Sequence, residues 1–505
     1  MANNSNNNTY RRGDVPVRRP SARSRRKRRR RRRFLNFLRI LLILLLLAAI
    51  IFAALWGFKR IKAALFDDDT PESAAEASIE ETTAEIPTTA SAEALAEELI
   101  REAEMKAVQY DYDAAIGLIT GAGPDVASTS QAQAALAKYE AAKAACVEQD
   151  ISQITHIFFH ILCVDPENSF NESRWGKQAG GYNSLMTTIP EFEKILQSMY
   201  DRGYVLVSLH DMAYEDADGN FVTGKIMLPE GKKAFVMSED DVCYYEYMKG
   251  AGFADKMVID ENGKIKLHYT DASGNESVGD YDLVPILDNF IEEHPDFSYH
   301  GHKACLVFTG YNGVLGYRTD ETYLPENYQE HKVEGGHDVP AERKEAVEIM
   351  KALIADGYDL GSHSWGHRDM GEMSVDYLKT DTDRWERNVG TLIQEATGKP
   401  ADILIYPKGA DIGDWRGYTH SDQGKKGCLE KFNYLYNCGF RYFCNVDSSK
   451  YWVQKGDNYL RTGRRALDGF DMWRVLSGEK PELLQDLFNI SEVFDIRRPT
   501  PVPNY

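Results

Sequence analysis

Ala234-Phe235-Val236-Met237-Ser238-Glu239-Asp240-Asp241-Val242 is an apolar, β-like run that closes on acids. Its counterpart is Tyr358-Asp359-Leu360-Gly361, which leads into His363-Ser364-Trp365-Gly366-His367. In barrels of parallel strands the chemistry gathers at the carboxyl ends of the strands, so both clusters are expected at one mouth. One carboxylate and two imidazoles make a facial three-ligand site for a divalent metal, with positions left for water and substrate. The neighbouring carboxylate is then free to act as a base, which outlines a hydrolase.

Outward from these runs, strand and helix patterns alternate from Ile151 onward. Ile154–Leu162, Tyr204–Leu209, Ala234–Ser238, Cys305–Thr309, Tyr358–Ser362, Ile403–Tyr406 and Phe440–Val446 read as strands. Ile189–Tyr200, Ala341–Ala355 and Asp381–Thr397 read as helices. The alternation predicts an α/β barrel over residues 151–505. Residues 252–340 read as an insert, with Asp260-Glu261-Asn262-Gly263 as a hairpin turn.

The first third of the chain is organised by charge. Residues 1–60 carry 17 basic residues and one Asp, leaving 42 basic against 77 acidic residues in the remainder. Arg25 to Arg33 has the composition of a nucleic-acid patch or nuclear address. It abuts Ile40–Phe58, nineteen residues without a charge. As a helix these reach about the ~30 Å of a bilayer core. The positive-inside rule then predicts a cytoplasmic tail (1–39), a single transmembrane signal anchor (40–58) and an extracellular remainder. An acidic ectodomain excludes nucleic acid as a partner recognised by bulk charge, and a neutral glycan needs no such attraction. Residues 59–91 are rich in Asp, Glu, Ser, Thr and Ala and read as a disordered linker. In residues 92–150, Leu95, Leu99, Ala103, Ala107 and Tyr110 recur at helical spacing and Gln131–Lys143 is Ala-rich. This predicts a helical hairpin or stalk, a docking place for an envelope protein partner. Seven cysteines leave at least one thiol unpaired, with Cys428, Cys438 and Cys444 close enough in sequence for one disulfide.

Taken in order, these motifs resemble the polysaccharide deacetylase family (the NodB-homology domain, carbohydrate esterase family 4). Its Thr-Phe-Asp-Asp-Gly motif stands here as Ser238-Glu239-Asp240-Asp241-Val242, and its His-Ser/Thr-x-x-His motif is intact at His363 to His367. Its third motif is similar to Tyr406-Pro407-Lys408-Gly409, and Phe159-His160-Ile161-Leu162 looks like its opening strand. The resemblance implies a distorted (β/α)7 barrel, metal ligands Asp241, His363 and His367, a divalent metal (zinc above all), and Asp240 as general base. It implies acetyl hydrolysis on a polysaccharide, with a backbone N–H near Lys408 at the oxyanion and Pro407, Gly409 and His160 at the mouth. Trp365, Tyr311, Trp452 and Trp473 are the aromatics offered for stacking on sugar rings.

The chain departs from the pattern at named places. Glu239 replaces an aromatic and Val242 a Gly. Ile405 stands where the family's base-orienting Arg would be, and the late Leu-x-x-His motif that supplies the acid is missing. His300 and His302 are the substitutes weighed for that acid. Three retained ligands favour a deacetylase; the lost histidine favours a non-catalytic carbohydrate-binding relative that kept the metal site. A third reading makes the helical segment the working part, as an envelope scaffold.

Overall fold

The computed structural model describes residues 89–333, 335–418, 425, 427–447 and 449–505. The expected tail, transmembrane anchor and most of the linker lie outside the described residues. Among the described residues no helix is long and apolar enough to cross a membrane.

Seven parallel strands close into a ring: β1 (Thr155–His160), β3 (Lys233–Asp240), β4 (Cys305–Phe308), β5 (Asp359–Ser362), β6 (Ile403–Ile405), β7 (Tyr442–Val446) and β8 (Leu460–Ala466). The closing registers are Arg464↔His156 and His160↔Asp240. The ring is distorted at β3. Its first half pairs with the short strand β2 (Tyr204–Leu206) and its second half with β4, through Ser238↔Cys305. The sequence therefore leads to seven strands with one member misplaced. The expected strand at Tyr204 lies outside the ring, and the seventh ring strand is β8. Leu-Arg-Thr-Gly-Arg-Arg-Ala lacks the apolar signature of a strand, yet all seven of its residues are buried.

Alternation along the strands sorts two cores. Val236, Val307, Ile403, Ile405, Cys444 and Leu460 fill the barrel. Phe235, Met237, Leu306, Phe308, Leu404 and Phe443 face the helices outside it. Among those helices, α4 (Ile189–Asp201) opens with a capping box between Thr188 and Glu191. The excursion between the motifs is shorter than 252–340, because β4 and helix α5 (Leu283–Glu293) lie inside that range. What protrudes is a three-stranded antiparallel sheet, Lys256–Ile259, Ile265–Thr270 and Glu276–Gly279.

Residues 89–144 form three principal helices, α1 (Thr89–Val108), α2 (Tyr112–Gly121) and α3 (Ser130–Ala144). Ala96, Ala103, Ala107, Ala115 and Ala132 make their seam, so Leu95, expected inside, is 44% exposed. All seven cysteines are free thiols, which removes the disulfide expected among Cys428, Cys438 and Cys444. Cys428 and Cys438 begin and end one helix of 11 residues, ~15 Å apart along its axis, and Cys444 points into the barrel.

At the amino-terminal end of the barrel His210 sits between Asp402 (3.0 Å) and Asp359 (3.3 Å). Burial alone would lower its pKa, but the two carboxylates outweigh it and raise it to about 10. The folded value lies above the unfolded ~6.5, so the stabilisation is complete below pH ~6.5 and is lost as pH rises through about 10. The unfolding free energy from urea titration should fall between pH 7 and 10 by on the order of 2 kcal/mol more in the wild type than in His210→Gln. Parallel pH curves for the two proteins would remove His210 as the cause.

Candidate metal centre and active site

The mouth is built from loops that leave the strands in left-handed conformation. Asp241, Ser364, His367 and Lys408 all have φ between 49° and 59°. Such values cost a residue with a Cβ about 1–3 kcal/mol and persist where the surroundings fix them. Asp240 is the last residue of β3 and points inward, and the turn at Asp241 lifts the next carboxylate to the rim.

Asp241, His363 and His367 come together, each with one ligand atom within 4.8 Å of the others'. His363 is buried and donates from Nδ1 to the Ile405 carbonyl at 2.9 Å, which leaves Nε2 as its free acceptor. Burial first of all lowers its pKa to about 4, so the ring is neutral, as ligation requires. His367 Nε2 lies 3.8 Å from Asp241 Oδ2. Asp241 Oδ1 accepts from the Tyr245 hydroxyl at 2.7 Å. Burial alone would raise the Asp241 pKa, but His367, His363 and His160 pull it down. One ionised carboxylate and two imidazoles with nitrogens facing a common point fit a divalent ion.

The His363–His367 loop has a clamp the sequence did not advertise. Asp381, in helix α7 (Val375–Trp385), accepts from the backbone N–H of Trp365 at 2.9 Å and of Gly366 at 3.0 Å. Removing it frees a loop held in two left-handed turns. Asp381→Ala should weaken zinc binding about 10- to 100-fold while Asp381→Asn, which keeps an acceptor oxygen, loses less. Competition against a chromophoric chelator reads this directly. Equal affinities for all three proteins would rule out a positioning role.

Asp240 is held by Arg464 through two parallel contacts, Nη1 to Oδ1 at 2.7 Å and Nη2 to Oδ2 at 2.9 Å. Arg464 Nη1 also donates to Ser238 Oγ at 3.1 Å. Ser238 Oγ meets His156 Nε2 at 3.0 Å, and His156 Nδ1 meets Thr462 Oγ1 at 2.8 Å. Burial alone would raise the Asp240 pKa; Arg464 and then His363 outweigh it and hold the carboxyl well below its usual range. A base-orienting arginine, absent at Ile405, is thus supplied from β8. The signal for it was a Gly-broken run of three arginines.

In the Tyr406 to Gly409 loop, the Gly409, Ala410 and Asp411 amides bond within the loop, and the Lys408 amide has no acceptor among the described residues. Asp411 anchors the loop to Arg461 at 2.7 Å. Pro407 is buried and the Lys408 side chain exposed. His160 ends β1 opposite Asp240 in register and its Nδ1 lies 3.2 Å from the Leu185 carbonyl.

Of the other expected residues, Trp365 stays at the mouth beside Tyr311, their rings 6.4 Å apart, and the rest fall elsewhere. Trp365 has Arg384 3.5 Å over its ring and donates from Nε1 to Asp320 at 2.8 Å, so one face is taken. Trp452 packs on Arg461 at 4.9 Å, and Trp473 on Phe494 at 6.3 Å, among the helices. His300 and His302 precede β4 at the barrel's opposite end, where His302 meets Asp211 at 2.7 Å, so neither can serve as the acid. Glu239 points away from the mouth into the helix layer. Burial and then Asp282 raise its pKa well above the usual range, so it adds no negative charge beside Asp240.

The parallel barrel thus brings a carboxylate, two histidines and a second, arginine-held carboxylate to its mouth. The chain carries a polysaccharide deacetylase domain: the model of the polysaccharide deacetylase family matches residues 325–422, which include the two histidines. An uncharacterised 30.6 kDa protein from Geobacillus stearothermophilus is 31% identical over 64 residues, 13% of this chain, and the match spans only 23% of that protein. Among solved structures, the Streptococcus pyogenes deacetylase PplD in complex with acetate is 14% identical, with a TM-score of 0.34, covering 68% of this chain and all of the other. BA3943, a pseudoenzyme from Bacillus anthracis, is 13% identical with a TM-score of 0.17, covering 48% of this chain and 89% of the other.

Proposed function

We propose that this protein is a membrane-anchored, extracytoplasmic, metal-dependent deacetylase that hydrolyses acetyl groups, acetamides first, on a cell-envelope or exported polysaccharide. The observation that carries the reading is the convergence of Asp241, His363 and His367 beside a carboxylate, Asp240, that Arg464 keeps ionised and oriented. A divalent ion held there, zinc in our reading, supplies Lewis-acid polarisation of the acetyl carbonyl and lowers the pKa of water. Asp240 takes the proton of the attacking water. In this reading the Lys408 amide donates to the oxyanion that develops on the acetyl oxygen. His160 is the imidazole at the mouth outside the ligand set, and in this reading it returns a proton to the leaving amine in place of the missing late histidine. The uncharged stretch Ile40–Phe58 behind an Arg-rich tail supports the anchor and the orientation.

The missing late histidine favours one other reading, a glycan-binding relative without turnover. Acetate release by the purified full-length chain, from acetylated chitooligosaccharides and from peptidoglycan, separates the two. Release that stops with a chelator and returns with zinc is the expected result. Stoichiometric zinc with no acetate from either substrate would leave the binding reading in its place.

A further inference from the structure

Four aromatic rings form a continuous wall across the mouth. Tyr245 stacks with Tyr247 (centroids 5.3 Å apart, planes 11° apart) and with Tyr311 (5.1 Å, 14°). Tyr311 in turn meets the edge of Trp365 at 6.4 Å. The wall is tied to the metal site at both ends of its buried part. Tyr245 donates to the ligand Asp241 at 2.7 Å and shares a hydrogen bond with Thr309 Oγ1 at 2.8 Å. Trp365 belongs to the His363–His367 loop and is immobilised by Arg384 and Asp320.

Core packing accounts for Tyr245, which is buried, but not for Tyr247. Tyr247 is 51% exposed and sits on a short turn, Glu246–Met248, immediately after the ligand-bearing loop. A lone exposed tyrosine needs no explanation. Here the exposed ring lies parallel to a tyrosine that is itself bonded to a ligand, and its hydroxyl is turned toward Tyr311 and Asp241. A flat, rigid, uncharged ring at that position, its hydroxyl held by Tyr311, suits the C–H face of a pyranose ring.

We infer that Tyr247 is a sugar-binding platform, taking the pyranose ring next to the one that carries the scissile acetyl group. The inference rests on the glycan reading above and adds to it a preference for chains over single sugars. Tyr245 fixes the distance between platform and metal site, since the same side chain touches Asp241 and stacks on Tyr247.

The test is equilibrium binding to the zinc-loaded full-length protein carrying Asp240→Asn, which stops hydrolysis during the titration, by calorimetric titration with tetra-N-acetylchitotetraose and with N-acetylglucosamine. Tyr247→Ala should weaken the tetrasaccharide about 5- to 10-fold and lower the tetrasaccharide-to-monosaccharide affinity ratio by the same factor. Tyr247→Trp, which restores a flat ring, should recover both. An unchanged tetrasaccharide affinity in Tyr247→Ala, an equal loss for both sugars, or no tetrasaccharide binding with Tyr247 intact would each overturn the platform. Acetate release, measured separately, decides hydrolysis whatever the titration gives, so the two ideas fail independently.

Discussion

Replacing Arg464 with Met is expected to lower kcat/KM for acetate release about 100-fold or more, with zinc content unchanged. Asp240 is buried and its two oxygens take the two ends of one guanidinium, a geometry that fixes both the charge and the direction of the carboxylate. Methionine fills much of the volume but leaves the carboxylate buried without its counter-charge, which in proteins costs about 3–5 kcal/mol. The group answers by taking up a proton. Since Arg464 is the largest influence lowering the Asp240 pKa, its loss should move the acid limb of the pH–rate profile upward. Arg464→Lys restores charge without the planar fork and should recover only part of the rate. Asp240→Asn removes the base itself, worth about 10²–10⁴ for a general base. Because both residues serve one function, the double variant should be no slower than Asp240→Asn alone. A wild-type rate in Arg464→Met would mean that Asp240 needs no partner, and the assignment of the base would go with it.

That pair also shows what could be read beforehand. Asp240, Asp241, His363 and His367 were legible because each pair is contiguous and each cluster closes a recognisable strand, so spacing alone brought them to one mouth. Arg464 was not legible, since its partner lies 224 residues away and its strand reads as polar. The same holds for Asp381, a helical acid among other helical acids, whose task is visible only where the His363–His367 loop passes it. Glu239 shows the converse: it is next to Asp240 in sequence yet faces the helix layer, because period-two alternation sends adjacent strand residues to opposite faces. Seven strands were countable from apolar runs, yet membership of the ring depends on pairing, which apolarity does not encode.

Arg498→Ala should destabilise the barrel by about 3–5 kcal/mol, the cost of leaving one member of a buried ion pair unmatched. Arg498 and Glu191 are both fully buried, joined Nε to Oε1 at 2.7 Å and Nη2 to Oε2 at 2.5 Å. The same carboxylate accepts the Thr188 amide at the start of α4 and the Asp495 amide in the C-terminal segment. Arg498 spends its remaining donors on the carbonyls of Asn183 and Met186. One ion pair thus fastens the C-terminal segment, the first turn of α4 and the residues just before it. Those residues matter to the mouth, because the Leu185 carbonyl is the partner of His160. In denaturant the midpoint should fall with little change in slope, and the double variant Glu191→Gln/Arg498→Met should lie closer to wild type than Arg498→Ala alone, since it strands no charge. If the single variant unfolds at the wild-type midpoint, the C-terminal segment is a passive cover. If it unfolds early as expected, the latch and His160 share one support, and loss of the first should show as loosened geometry at the second.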